Sequence, residues 1–207
     1  DQHNLAGAQL APRAHLKYAL TPQLDVRATA GRAWRLPNYV MDNLSLLASS
    51  KTWLGNQALL PEISYNIGAS VVHGFIFNKR KGSLSLDAYY TRFSQQLVAD
   101  RDTLSNVVVF KNLSNNSVAS VVQFEFSYEV LRGLDLRLAY KFQDVRALFD
   151  GKLQTQVLLP RQRYFANVAY MTRNKRWAYD LTYSRYSAVR LPQNGQGKPW
   201  ALLNGQI

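Results

Sequence analysis

General acid–base chemistry or a metal centre in this chain would have to be built from three histidines, His3, His15 and His73, and from thirteen Asp and Glu side chains. Their spacing does not assemble one. The histidines are scattered, and no HExxH, GxSxG, GxGxxG or Walker pattern occurs. Cysteine is absent, so neither a thiolate ligand nor a disulfide framework is available. Glu125 and Glu129 form a spaced carboxylate pair, and Asp135 and Arg137 flank one another. In an extended chain each pair lies on one side of a strand, as on any solvated face with counter-charges across a hairpin. His15 alternates with Arg13 and Lys17 in the same way. No catalytic residue, cofactor or metal is expected.

The formal net charge of +12 raises nucleic acid as a partner, because neutralising phosphates needs Lys and Arg. The densest basic clusters lie at 78–82 (NKRKG) and 172–176 (TRNKR), with no interleaved aromatic platform on which bases could stack. No RNP-type signature is present either. A nucleic-acid partner is therefore not expected. At a membrane edge such basic stretches would meet anionic head groups instead.

The elements that position these residues are strands. From Val122 the even positions read Val122, Phe124, Phe126, Tyr128 and Val130, against Gln123, Glu125, Ser127 and Glu129. Only a strand presents such a two-residue repeat. After Leu131-Arg132-Gly133 the pattern restarts with Leu134, Leu136, Leu138, Tyr140 and Phe142 opposite Asp135, Arg137, Lys141 and Gln143. An odd-numbered connector keeps even residues on one face of both strands, so 122–142 reads as a hairpin. Leu10–Leu20 and Leu24–Ala30 repeat the arrangement around Thr21-Pro22-Gln23. Ile63–Phe77 with Ser83–Val98, and Arg163–Met171 with Trp177–Ser187, make two more hairpins. About eight strands result, with a ninth starting near Trp200. Short connectors at 21–23, 78–82, 131–133 and 172–176 alternate with long irregular ones at 35–61, 99–117, 147–161 and 188–199.

This pattern predicts an all-β fold, an antiparallel up-and-down meander with one short-turn end and one long-loop end. Two observations favour a transmembrane barrel over a soluble sandwich. The patterned segments run to ten or more residues, the length of a tilted spanning strand rather than the ~5–6 of globular sheets. Aromatic residues such as Tyr128, Tyr140, Tyr164, Tyr170, Trp177, Tyr179 and Tyr183 cluster on the apolar face, as in the girdles of outer-membrane barrels. No apolar run approaches the ~20 residues of a spanning helix.

The longest break in the alternation, Gly31 to Glu62, is bounded by two sequence boxes. One is Gly31, Arg32, Trp34, Arg35 and Pro37; the other is Asn56, Leu59, Pro61 and Glu62. Together they resemble the paired boxes of TonB-dependent outer-membrane receptors, where one closes a barrel strand and the other opens the next. The stretches around 84–100, 110–145 and 150–170 resemble later barrel strands of such receptors, especially Bacteroidetes-type members, so the resemblance covers essentially the whole chain. Two positions depart from the pattern: Trp34 stands where phenylalanine is usual, and Gln57 where proline is usual. Neither alters the boundary reading.

The resemblance implies that residues 1–207 are a partial receptor barrel domain. Such barrels have about 22 strands filled by a plug, so the plug and the final strands are expected to lie outside this chain. It further implies an active-transport receptor of the cell outer membrane that captures a scarce nutrient of siderophore, cobalamin or glycan type and passes it to the periplasm. The implied partners are the nutrient ligand, outer-membrane lipid and lipopolysaccharide, and TonB through the plug. No histidine lies between Pro37 and Asn56, which argues against a haem-ligating loop. The long-loop residues suited to an anionic chelate or polar ligand are Arg35, Tyr39, Trp53, Arg101, Phe110, Arg161 and Arg190. Alternative readings are a passive outer-membrane barrel and a soluble basic β-domain that binds nucleic acid.

Overall fold

The computed structural model describes residues 2–3, 7–38, 40–55, 60–100, 106–149 and 152–207. Two short strands, β1 (Gln2–His3) and β2 (Gly7–Ala8), pair with each other ahead of the main sheet. Then follow β3 (Arg13–Thr21) and β4 (Leu24–Arg35), a short helical stretch with α1 (Leu44–Leu47), and β5 (Thr52–Leu54). The long strands come next: β6 (Glu62–Phe77), β7 (Arg80–Asp100), β8 (Val107–Leu131) and β9 (Leu134–Phe149). The chain continues through β10 (Lys152–Thr155), β11 (Gln162–Met171), β12 (Ala178–Tyr186) and β13 (Trp200–Gln206). The sheet runs in the order β13-β12-β11-β9-β8-β7-β6-β4-β3, an antiparallel meander whose two ends do not pair among the described residues. Among the described residues no helix is long and apolar enough to cross a membrane.

The register shows how alternation became two faces. Tyr128 pairs with Leu136, and Leu136 with Val168, so the even residues of β8, β9 and β11 share one side. Ser127 pairs with Arg137 on the other side, where Glu125 holds Arg137 at 3.6 Å and Asn167 donates to Asp180 at 2.8 Å. Two turns keep this parity with a bulge rather than a three-residue loop. Leu131 pairs with Leu134 and Glu129 with Asp135, leaving Val130 as the extra residue; Leu20 plays that part before the β3–β4 turn. The β6–β7 connector differs from the 78–82 expectation. Phe77 pairs directly with Arg80 across a two-residue turn in which Asn78 and Lys79 have φ of 46° and 60°. That left-handed pair is the signature of a tight hairpin whose twist matches its strands. Odd residues of β6 therefore share a face with even residues of β7.

The apolar face carries stacked aromatics. Phe75 lies against Phe126 and Tyr128 with centroids 6.2 and 6.1 Å apart, and Tyr128 donates its hydroxyl to the Phe77 carbonyl at 3.1 Å. Gly82 is the floor under the Phe75 ring, where a Cβ would fall 2.3 Å from a ring carbon. Tyr140 meets Tyr164 at 5.0 Å, and Tyr170 meets Tyr179 at 6.4 Å. Tyr164 and Tyr170 are six positions apart on β11, about 20 Å at a rise of ~3.3 Å per residue. On a strand tilted by about 45° this is roughly 14 Å along the membrane normal, so both tyrosine pairs lie at or inside the edges of an apolar band of about 25 Å. Ile67, Leu86 and Leu181 lie exposed on the same face.

Beyond the upper belt the connectors are more ordered than the sequence pattern predicts. Segment 99–117 is largely strand: β7 runs to Asp100, β8 begins at Val107, and Asp100 pairs with Val109. In 147–161, β10 folds back so that Lys152 pairs with Phe149 and Thr155 with Arg146. In 35–61, β5 crosses over β6 and β7 to pair in parallel with Val107–Val109 of β8. This crossing makes the small hydrophobic core of the described residues. Leu46 of α1, Val108 and Phe110 are buried, with Trp53, Leu97 and Ala99 packed against them.

Candidate functional site

The described parts of the two sequence boxes, separated by the longest loop, meet as strand neighbours at Arg35 and Glu62, while Asn56 and Leu59 of the second box lie outside the described residues. Arg35 is the register partner of Glu62, Trp34 of Ile63, Arg32 of Tyr65 and Gly31 of Asn66. Arg35 donates Nε to Glu62 Oε2 at 2.5 Å and Nη1 to Asp42 Oδ1 at 3.0 Å. Burial opposes the charge on Arg35, but Glu62 and Asp42 more than offset it and hold the guanidinium above its ordinary range. Glu62 is itself buried, and its second oxygen accepts the Leu97 amide of β7 at 2.9 Å. Arg32 donates to the Leu10 carbonyl and to Gln9 Oε1, securing the segment before β3. Arg35 and Glu62 thus form one polar clamp joining β4, β6, β7 and the start of the first long connector.

Beside the clamp is a cleft of about 230 Å³, whose lining includes Arg35, Asp42, Asp100, Phe110, Arg146 and Arg190. Three connectors and the extended ends of β7, β8 and β9 meet here. Asp100 is buried and takes Lys111 Nζ at 2.9 Å. Asp144 lies 2.5 Å from Arg146 and 3.1 Å from Arg161, a carboxylate between two cations. Its hydrogen bond holds the Arg146 guanidinium above the ordinary range. Arg161 also sits over the Phe142 ring at 5.7 Å, and Arg190 donates Nε to the Thr155 carbonyl at 2.8 Å. The result is a polar pocket of mixed charge, in which Arg35, Arg146 and Arg190 stand with Asp42 and Asp100, set by short fixed contacts. Among the described residues no group of His, Asp and Glu could hold a metal ion. Below it, Gln123, Glu125, Arg137, Lys141 and Arg163 line a second, polar depression on the charged face of β8, β9 and β11.

Of the loop residues singled out from the sequence, the structure brings Arg35, Phe110 and Arg190 to this one cleft. Phe110 is 3% exposed, and its ring packs on Trp53 at 5.4 Å, so both aromatics build the support under the cleft. Arg161 stands to one side on Asp144. Tyr39 and Arg101 lie outside the described residues. Sequence reasoning missed Arg146, Asp100, Asp42 and Asp144. Their signal was weak: Asp144 and Arg146 alternate as ordinary strand residues, and Asp42 belongs to no period.

A family model described as TonB dependent receptor-like, beta-barrel matches residues 1–207. No curated protein matches in sequence. Among solved structures, the chain resembles a mutant of the ferric enterobactin receptor PfeA from Pseudomonas aeruginosa with a TM-score of 0.64 and 13% identity, covering 99% of this chain and 33% of that one. The FrpB iron transporter from Neisseria meningitidis gives a TM-score of 0.60 at 13% identity, over 95% of this chain and 31% of that one. The siderophore receptor PirA from Acinetobacter baumannii gives 0.59 at 10%, over 98% and 34%. The chain spans about a third of the length of these structures, and at such identities the likeness is one of fold. With two-faced strands, aromatic belts and a family match along its whole length, the chain belongs to the TonB-dependent receptor-like β-barrel family of the outer membrane.

Proposed function

We propose that this chain supplies part of the wall and outer vestibule of a receptor that captures a scarce nutrient outside the cell and passes it to the periplasm on energy transmitted by TonB. In this reading the remaining strands, the plug and the TonB contact belong to other parts of the polypeptide, and the protein does no covalent chemistry. The observation that carries it is the convergence of Arg35, Arg146 and Arg190, from distant parts of the sequence, on one cleft at the long-loop end. Cations gathered above a polar wall suit an anionic ligand, because charge-assisted hydrogen bonds are the strong ones. A siderophore-type chelate therefore fits better than a cobalamin- or glycan-type ligand, in keeping with the enterobactin bound to a PfeA mutant of the same fold.

Uptake by the full-length receptor tests this. Cells carrying it are expected to accumulate an anionic ferric siderophore only when TonB is intact. Arg146→Gln with Arg190→Gln is expected to weaken binding about tenfold or more, the scale of a lost charged hydrogen bond. Uptake that persists without TonB would make the protein a passive barrel. Unchanged binding in the double variant would move the ligand away from this cleft.

A further inference from the structure

The opposite rim of the sheet carries a feature that ligand capture does not use. Three successive short turns along the rim, between β6 and β7, β8 and β9, and β11 and β12, present Lys79, Arg80, Lys81, Arg132, Arg173, Lys175 and Arg176. Only Arg80 is half-buried, and among the described residues only Arg80 is held in an ion pair, on Glu129 at 3.2 Å. The other six are exposed. The β3–β4 turn, Thr21-Pro22-Gln23, has no cation, so the charge is confined to one arc of the rim.

Directly beside these turns lies the lower aromatic belt, with Phe77 68% exposed and Trp177 56% exposed on the same rim. Exposed aromatics of this kind sit at the boundary between acyl chains and head groups. Cations one turn further out are then at head-group depth. Short turns of such barrels face the periplasm, so the leaflet they meet is the inner, phospholipid one.

We propose that this arc is a binding surface for acidic phospholipids, such as phosphatidylglycerol, of the periplasmic leaflet. The aromatic belt holds the acyl region while unpaired Lys and Arg side chains hold the extra negative charge of the head group. Strands lie about 4.8 Å apart, so successive turns sit roughly 10 Å from one another along the rim. The turns hold more than one lipid in a row. Arg132 occupies the middle turn and bridges the two flanking clusters.

The test uses the full-length receptor in nanodiscs of phosphatidylethanolamine with a minority of phosphatidylglycerol. Lipids retained after extraction into mild detergent are counted by mass spectrometry, with heat-modifiable gel migration reporting correct folding. The wild type is expected to retain phosphatidylglycerol several-fold above its bulk share, with the excess falling in high salt. Replacing one cluster, Arg173→Gln, Lys175→Gln and Arg176→Gln, is expected to remove about half of this excess, well inside the limit of roughly fivefold per surface charge. Adding Lys79→Gln, Lys81→Gln and Arg132→Gln is expected to bring retention down to the bulk ratio. Bulk-ratio retention by the wild type would overturn the proposal, as would an excess that the folded triple variant keeps in full. Should the six-fold variant fail to insert, the triple variant and the salt titration of the wild type decide.

Discussion

At the scale of single residues, one position separates lipid from lumen. Leu136 and Arg137 are adjacent, yet Leu136 pairs with Tyr128 and Val168 on the apolar face while Arg137 lies against Glu125 on the polar one. Leu136, on the Val168 level, also falls between the Tyr164 and Tyr170 levels, within the apolar band. Leu136→Arg in the full-length receptor should therefore destabilise folding into lipid vesicles by about 2–4 kcal/mol. Urea titration of the vesicle-inserted protein measures it, and a midpoint unchanged from wild type would contradict the lipid-facing assignment. The Arg35–Glu62 pair makes a different point. The boxes mark the ends of successive strands, but the register that sets Arg35 on Glu62 could not be foreseen, because the two residues lie 27 positions apart with no alternation between them.

At the scale of elements, turns decide which strand faces agree. Gly133 has φ of +83°, and a Cβ there would lie 2.5 Å from the Met171 carbonyl oxygen of β11, a backbone atom that cannot rotate away. The Met171 amide donates to the Gly133 carbonyl at 2.7 Å, so the turn is seated on the neighbouring strand. Gly133→Ala meets both a left-handed backbone and a fixed atom. It should cost about 1–3 kcal/mol, read as a lower urea midpoint with unchanged slope. A neutral result would mean that the β8–β9 turn is not seated on β11. The long connectors were less legible for a physical reason. Above the membrane neither strand face meets hydrocarbon, so nothing imposes apolar–polar alternation on 99–117, and a register shift between Phe93 and Gln95 breaks what period remains.

At the scale of the whole molecule, the alternation of turn and loop lengths becomes sidedness. The clamp, the cleft and the β5 crossing gather at one end, and the basic turns gather at the other. Cysteines placed singly at Ser50 and Gln193, both exposed, should react with an impermeant label on intact cells; those at Gln23 and Lys175, equally exposed in the isolated fold, should not. Equal labelling of all four would overturn the orientation. Labelling of Gln23 and Lys175 in preference to Ser50 and Gln193 would reverse it and take the basic turns away from the periplasmic leaflet.

The sequence by itself determined the all-β class, the eight to nine long strands of the meander, the apolar and polar faces of those strands that alternate strictly, and the family. All of these follow from a two-residue period that a half-apolar environment enforces on each strand separately, and from boxes readable without knowing their partners. Tertiary structure alone decided which residues meet across the loops. Arg35 finds Glu62, β5 reaches past two strands to β8, Phe110 becomes support rather than surface, and Arg146 joins Arg190 at the cleft. Each of these contacts links residues 27 or more positions apart, or in the case of Arg146 and Arg190, 44. Such contacts leave no local pattern, because a charged or aromatic loop residue reads the same in sequence whether it faces water, a ligand or a neighbour.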